Sequence, residues 1–91
     1  MYILLCFDDS YYVGSTRNLK RRLRQHQNGK GANHTAKRLP VVFLYAEEFD
    51  CIDHAFYREK QIQKWSRKKK EALMIGDEKL LSQLAKKVFK K

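Results

Sequence analysis

One carboxylate in the sequence falls where a helix is expected to face the protein interior. The segment around Glu59 carries apolar residues at the helical period, namely Ile52, Ala55, Phe56, Ile62 and Trp65. Burying an ionised carboxylate costs free energy unless a cation pairs with it or it binds a metal ion. We therefore expect Glu59 to have a partner such as Arg22 or a metal at the edge of a sheet. The spacing fits a glutamate at the rim of the stripe, paired with a surface lysine, equally well.

Two tyrosines are expected on the same face of a β-hairpin. The runs YILLCF and YYVGS are rich in aromatic and β-branched residues, and the turn formers Asp8, Asp9 and Ser10 separate them. A three-residue loop at those positions pairs Cys6 with Tyr12, and strand alternation then puts Tyr2 and Tyr12 on one face. A two-residue loop would separate them. Spacing alone predicts that both rings pack over the sheet.

Arg22 and His26 lie four residues apart in a predicted helix of about three turns. Asn18 is a favourable N-cap, and Asn28-Gly29 is a favourable end. Arg22 stands beside a stripe of two leucines, which distinguishes it from the neighbouring arginines. From the residues alone, Arg22 fits a solvated basic face, and His26 fits a helix-end histidine that interacts with the helix dipole.

The charges are segregated along the chain. Twenty Lys and Arg against ten Asp and Glu give a net charge of +10, and residues 17–38 hold eight basic and no acidic residues. A second basic block at 58–71 follows an acidic stretch at 39–57. Such blocks favour a nucleic acid over a membrane, although a charge run is often only a solvated surface. Both blocks are expected on the sheet face of Tyr2 and Tyr12. The residues expected to contact nucleic acid are Arg17, Lys20, Arg21, Arg24, Lys30, Lys37 and Arg38.

Length and composition restrict the class of protein. A chain of 91 residues with 43% hydrophobic and 33% charged residues fits one globular domain. No apolar run approaches the roughly 20 residues that span a bilayer, and the N-terminus lacks the pattern of a signal peptide. Two cysteines without a CxxC spacing indicate reduced thiols. We therefore expect a cytoplasmic protein with no membrane partner.

The remaining elements complete an α+β fold, with a three-stranded, mainly antiparallel sheet flanked by helices. The apolar run 41–45 is predicted to be the central strand, covered on both faces, and 29–40 a loop. Helices are expected from Asp50 or Asp53 to Trp65 and from Ser66 to 75. An extra C-terminal helix would begin at Asp77. The expected organisation is a domain over 1–76 with a helical extension of that domain over 77–91.

Several short motifs, taken in order, resemble the GIY-YIG nuclease domain. They are Tyr2-Ile3-Leu4, Tyr12-Val13-Gly14, Arg22 in a basic helix that ends near His26, and Glu59 within Arg58-Glu59-Lys60-Gln61. The small stand-alone bacterial members of that family are the most similar, because Ser15-Thr16, a GKGA loop, an acidic segment and Trp65-Ser66-Arg67 follow in the same order. The resemblance covers about residues 2–75 and implies the GIY-YIG-like fold.

The chain departs from the family pattern at two places. The Gly and Tyr that open the first motif are not literally present, as is usual in the stand-alone branch. Ser15 stands where several characterised nucleases of the family carry a Lys, so one positive charge near the reacting phosphate is missing. The missing charge bears on the catalytic activity that the resemblance implies and not on the fold.

The resemblance implies a metal-dependent endonuclease. Glu59 would bind Mg²⁺ or Mn²⁺, Arg22 would hold the scissile phosphate, and Tyr12, with Tyr2 as the alternative, would take the proton of the attacking water. His26 would orient the tyrosine or contact phosphate. DNA is the favoured partner over RNA, with little sequence preference. A non-catalytic nucleic-acid-binding module and a small protein-interaction domain are the alternatives, and the sequence does not give the oligomeric state.

Overall fold

The computed structural model describes residues 1–76 and has an α+β architecture, as predicted. The elements in chain order are β1 (Tyr2–Leu5), β2 (Tyr11–Gly14), α1 (Leu19–Gln27), α2 (Asn33–Ala36), β3 (Val42–Ala46), α3 (Ile52–Gln63) and α4 (Arg67–Met74). The helix predicted from Asp77 and the extension over 77–91 lie outside the described residues. Within residues 1–76, no helix is both long and apolar enough to cross a membrane.

The three strands form an antiparallel sheet in the order β2-β1-β3. The prediction that residues 41–45 form the central strand is wrong, because β1 is central and β3 is an edge strand. Three consecutive side chains of β3 are exposed: Val42 by 52%, Phe43 by 45% and Leu44 by 38%. A continuous apolar run indicates a strand, but it does not indicate whether that strand is central or at the edge of the sheet. Because the hairpin places β2 along one edge of β1, β3 pairs with the other edge.

Of the two loop lengths that the sequence allowed, the hairpin has the three-residue one, but its residues are Phe7, Asp8 and Asp9. The Cys6 amide donates to the Ser10 carbonyl at 2.9 Å, and Asp9 closes the loop with a φ of 71°. The predicted pairing of Cys6 with Tyr12 is therefore wrong by two residues, since Leu4 faces Tyr12. A shift of two preserves the alternation of side chains, so Tyr2 and Tyr12 still share a face.

The sheet separates two hydrophobic clusters. On the face of Tyr2 and Leu4, helix α1 packs through Leu19 and Leu23. On the opposite face, Ile3 and Val13 meet Ile62 of α3 and Leu73 of α4. The expectation that both basic blocks converge on the Tyr2 face is therefore wrong. An apolar stripe shows that a helix covers the sheet, but not which face it covers.

The predicted N-cap residue is found at two of the three helices for which one was predicted within residues 1–76. The Asn18 side chain accepts from the Arg21 amide, and the Ser66 side chain accepts from the Lys69 amide. Helix α3 differs, because Cys51 is its N-cap and makes no side-chain cap bond, in place of the predicted Asp50 or Asp53. The short helix α2 lies inside the predicted loop.

Two aromatic side chains of the predicted α3 stripe have different environments. Phe56 is 50% exposed, and the Lys60 ammonium lies 4.8 Å from its ring centroid. Its assignment to the core is therefore wrong. Trp65 packs against the α3 and α4 cluster, with the Arg58 guanidinium 5.2 Å and the Lys69 ammonium 4.2 Å from its ring. Both cations lie within cation–π distance of the indole ring.

Candidate functional site

Tyr2 of the central strand and His26 of α1 meet in the protein interior. Tyr2 is 1% exposed and His26 is fully buried. The Tyr2 hydroxyl lies 2.8 Å from His26 Nε2, and His26 Nδ1 lies 2.8 Å from the hydroxyl of Thr35 in α2. Strand β1 supplies the phenol and α1 the imidazole because Leu19 and Leu23 hold α1 against this face. The three side chains form one buried chain of polar groups.

Burial keeps both rings of this pair neutral. Desolvation raises the pKa of Tyr2 to about 12, and the Arg22 guanidinium opposes that rise. Desolvation and, after it, the charge of Arg22 lower the pKa of His26. The Tyr2 phenol is therefore protonated at neutral pH. This disfavours Tyr2 as the group that takes a proton from water.

Tyr12 shares this face but is only partly buried. Its ring centroid lies 6.2 Å from that of Tyr2 and 5.2 Å from that of His26, in tilted and edge-on arrangements. The ring of His34 stacks on it at 6.1 Å. Three rings therefore fix the plane of Tyr12, while part of its surface remains open to solvent.

Arg22 lies between the buried pair and solvent. Its guanidinium donates to the Gln25 side chain at 3.1 Å. Interaction with the Tyr2 hydroxyl is the largest cause that raises the pKa of Arg22, and Tyr12 acts in the same direction. Arg22 does not pair with Glu59, so that predicted partnership is wrong. The recorded partner of Arg22 is Gln25, and those of Glu59 are Ser15 and Gln63.

Glu59 is buried, with 9% of the residue exposed. The Ser15 hydroxyl donates to its carboxylate at 2.7 Å, and the Gln63 amide donates at 3.0 Å. Gln63 also donates to the Val13 carbonyl at 3.2 Å, which fixes α3 against the end of β2. The Lys60 ammonium lies 3.8 Å away, as the rim interpretation expected, but its side chain is 53% exposed. Two neutral donors therefore hold the carboxylate in place.

The environment of Glu59 fits a hard divalent cation. Mg²⁺ binds through one or two carboxylates and keeps several waters, so a single glutamate satisfies its protein-ligand requirement. Within residues 1–76, no three His, Cys, Asp or Glu side chains form a group that could hold a metal. The donor set is thus one carboxylate with hydroxyl and amide neighbours, which does not resemble a zinc site.

Ser15 joins the two halves of the site. Its hydroxyl contacts Glu59, and its residue also lines a cavity of about 390 Å³ beside Arg22. The remaining lining residues are Thr16, Arg17, Asn18, Arg21 and Gln25. The cavity therefore has hydroxyl and guanidinium donors on its walls, which are the groups that bind phosphate oxygens.

Two glycines leave the room that the buried pair occupies. A Cβ atom at Gly14 would lie 2.6 Å from the Tyr2 hydroxyl oxygen, and one at Gly31 would lie 2.2 Å from His26 Nδ1. Neither glycine has a positive φ, so close packing alone excludes a side chain there. No local sequence signal indicates this role for Gly31.

Replacing Gly31 with Ala is expected to displace the His26 ring. Overpacking of this kind costs about 1 to 3 kcal/mol of unfolding free energy. Denaturant unfolding would measure the loss, and the His26 ring signals in NMR spectra would shift. Gly76→Ala is the matched control, because Gly76 has a φ of 75° but nothing within 4 Å of its added Cβ. It should cost about 1 kcal/mol through backbone strain and leave the His26 signals unchanged. Unchanged His26 signals in Gly31→Ala would contradict the packing argument.

The basic side chains predicted to contact nucleic acid differ in their surroundings. Arg17, Lys20, Arg21, Arg24, Lys30 and Lys37 are exposed. Arg38 instead donates to the Asp8 carboxylate at 2.7 Å and to the His34 carbonyl at 3.0 Å. Arg38 therefore links the hairpin loop to helix α2 through these two bonds. Sequence reasoning missed Thr35, since a threonine in a polar loop gives no signal of burial.

Comparison with known proteins places this site in a family. The model of the GIY-YIG catalytic domain matches residues 1–72. A UPF0213 protein of Natronomonas pharaonis is 42% identical over 78 residues, covering 86% of this chain and 91% of that protein. A UPF0213 protein of Bacillus licheniformis is 47% identical over 70 residues, covering 77% and 72%. One of Streptococcus pneumoniae serotype 4 is 42% identical over 74 residues, covering 81% and 75%.

Among solved structures there is no significant match to the chain. The family model spans every residue of the site, from Tyr2 on β1 to Glu59 on α3. The relatives are small proteins, as the resemblance to the stand-alone bacterial branch implied, and they come from archaea as well as bacteria. The chain therefore belongs to the GIY-YIG domain family, a family of the nuclease type.

Proposed function

We propose that this protein is a divalent-metal-dependent endonuclease that cuts DNA with little sequence preference. The observation that carries the proposal is the position of Ser15, which contacts Glu59 and lines the cavity of Arg22. A carboxylate for a cation and a guanidinium for a phosphate thus approach one short segment at the end of β2. A phosphodiester at this segment would meet both groups.

Glu59 would hold Mg²⁺ or Mn²⁺ in this proposal. The cation, when bound, supplies positive charge for the phosphate and for the departing alkoxide. The hydrogen bonds from Ser15 and Gln63 keep the Glu59 carboxylate oriented toward the end of β2. They act as the supporting groups that orient metal ligands in other proteins.

The other side chains would position the phosphate and move protons. The Arg22 fork would contact the phosphate oxygens as negative charge develops on them. Tyr12 would take the proton of the attacking water, because it is the partly exposed phenol beside Arg22. Tyr2 and His26 would act as a neutral support beneath Arg22. The base role of Tyr12 requires its phenolate form, which neighbouring cations would stabilise.

The basic surface supports DNA as the proposed substrate, and the free cysteines support a cytoplasmic location. The exposed basic residues of α1 would contact phosphates, which gives affinity without base readout and favours DNA of any sequence. Cys6 and Cys51 are both unpaired, as is typical of a reducing cytoplasm. The family match ends at residue 72, which supports a core domain over 1–76 with residues 77–91 as an extension.

Plasmid nicking tests the activity directly. Supercoiled plasmid DNA incubated with the purified protein and Mg²⁺ or Mn²⁺ should become nicked, and EDTA should stop the reaction. A non-catalytic nucleic-acid-binding module is the second candidate, because Ser15 occupies the place of the family Lys and its hydroxyl already uses a lone pair of Glu59. Binding to DNA without nicking under either metal would select the module.

Binding to duplex DNA should depend steeply on salt. If five to eight phosphates are contacted, log K should fall with log salt at a slope of roughly −4 to −7. Fluorescence anisotropy with two unrelated duplexes would measure the slope and show similar affinities for both. Affinity that does not change with salt would contradict a nucleic-acid partner. Arg24→Gln, at an exposed position, should reduce the magnitude of the slope by about one.

A further inference from the structure

Thr35 is a fully buried residue with no role in the mechanism above. It lies in the short helix α2, within the segment 29–40 that the residue pattern predicts to be a loop. Its hydroxyl is 2.8 Å from His26 Nδ1 and 3.0 Å from the Ala32 carbonyl oxygen. A hydroxyl has only one proton to donate, so the direction of one of these two hydrogen bonds determines the direction of the other.

The Ala32 carbonyl determines where the Thr35 proton lies. A carbonyl oxygen only accepts, so the single hydroxyl proton of Thr35 is donated to Ala32. The Thr35 oxygen can then interact with His26 Nδ1 only as an acceptor. His26 must therefore carry its proton on Nδ1. Gly31 packs against the same edge of the ring, where its missing side chain leaves Nδ1 close to Thr35.

The proton on Nδ1 sets the direction of the next bond. A neutral imidazole has one N–H, so Nε2 presents a lone pair, and the Tyr2 hydroxyl donates to it at 2.8 Å. The phenolic oxygen then offers only lone pairs to the Arg22 guanidinium, which has donors and no acceptor. Tyr2 thus donates to His26 and His26 to Thr35 along one path, and the phenolic oxygen at its start presents its lone pairs toward Arg22.

The opposite tautomer would reverse this path. His26 would donate from Nε2 to Tyr2, and the phenolic proton would turn toward Arg22. Donors would then face donors, so the phenol would no longer present an acceptor toward the Arg22 fork. Displacement of a substrate-holding group by about 1 Å can lower a rate by about 100-fold.

We propose that Thr35 is a positioning residue that fixes His26 as the Nδ1–H tautomer and, through Tyr2, holds Arg22 in its phosphate-binding position. The effect on cleavage rests on the proposed function. The tautomer of His26 does not, because it follows from the hydrogen bonds of the folded protein.

Nitrogen-15 NMR of the imidazole rings tests the tautomer without any substrate. In the wild-type protein, a long-range proton–nitrogen spectrum at neutral pH should show Nδ1 protonated and Nε2 unprotonated. The signals of His26 are assigned by their loss in His26→Asn. Thr35→Ser keeps the hydroxyl and should keep this tautomer. Thr35→Val keeps the shape but removes the acceptor, and the proton should move to Nε2.

The Tyr2→Phe variant distinguishes the effect of Thr35 on the His26 tautomer from the effect of Tyr2. If Thr35 sets the tautomer, Nδ1 stays protonated when the phenol is absent. A proton on Nε2 in the wild-type protein or in Tyr2→Phe would overturn the proposal. So would a folded Thr35→Val protein that keeps Nδ1 protonated. The wild-type and Tyr2→Phe spectra decide the question even if Thr35→Val does not fold.

Cleavage kinetics test the consequence for Arg22. Thr35→Val should lower kcat by about 10- to 100-fold, as loss of an orienting partner does at other sites, and Thr35→Ser should stay within about threefold of wild type. Equal losses in Val and Ser would overturn the positioning role. If the wild-type protein does not nick DNA, the proposed function fails, while the tautomer assignment is still decided by the spectra.

Discussion

Replacing Glu59 with Gln is expected to lower DNA cleavage by roughly 10³-fold or more. Loss of the cation removes several kcal/mol of transition-state stabilisation, and each 1.4 kcal/mol is tenfold in rate. Glutamine is nearly isosteric with glutamate, and its amide oxygen can still accept from the Ser15 hydroxyl at the end of β2. Single-turnover cleavage with saturating Mg²⁺ would measure the loss.

Controls separate loss of the metal from loss of the fold. Glu48→Gln removes an exposed carboxylate and should leave the rate unchanged. Titration with Mn²⁺ should detect binding to the wild-type protein and to Glu48→Gln but not to Glu59→Gln. DNA binding and the thermal midpoint of Glu59→Gln should stay close to wild type. Full activity in Glu59→Gln would exclude the proposed metal role, and unfolding would make Glu59 a structural partner of Ser15 and Gln63.

Arg22→Lys should lower the cleavage rate by roughly 10²- to 10³-fold, the range found when a single transition-state hydrogen-bond donor is lost. Lysine keeps the positive charge but cannot make the two-pronged contact of a guanidinium. It also lacks the guanidinium N–H groups, one of which donates to the Gln25 side chain in Arg22. Rates at saturating DNA would show the loss in kcat rather than in KM.

Neighbouring arginines of α1 provide matched controls. Arg21 and Arg24 are exposed on the same helix, and their replacement by Lys should change the rate by less than about threefold. Similar losses for all three variants would indicate a diffuse basic surface. Such a result would remove the case for a positioned catalytic arginine.

Local sequence signals predicted the parts of the site that depend on short-range rules. Tyr2 and Tyr12 share a face because a three-residue loop fixes the alternation, even though the loop lies one residue earlier than expected. Asn18 and Ser66 cap helices as their side chains allow. Glu59 is buried because it lies in an apolar stripe. These features depend on residues close in sequence.

Features that depend on long-range packing could not be predicted in this way. The apolar run of β3 fits a central strand and an edge strand equally well, and only its pairing with β1 decides. The apolar stripes of α1 and α3 do not show that the two helices cover opposite faces. Thr35 and Gly31 acquire their roles only where α2 folds back on His26. Their residue types are common in surface loops.

The separation of α1 and α3 by the sheet has a consequence for how such a site can evolve. Substitutions around Leu23 alter the cluster beneath Arg22, whereas substitutions around Ile62 alter the cluster beneath Glu59. Changes in separate clusters tend to have additive energies. Under the proposed function, selection can therefore adjust phosphate affinity and cation affinity almost independently. The exception is the Gly14-Ser15 segment, because Gly14 packs against Tyr2 and Ser15 bonds to Glu59. A single substitution in this segment would alter the two affinities together.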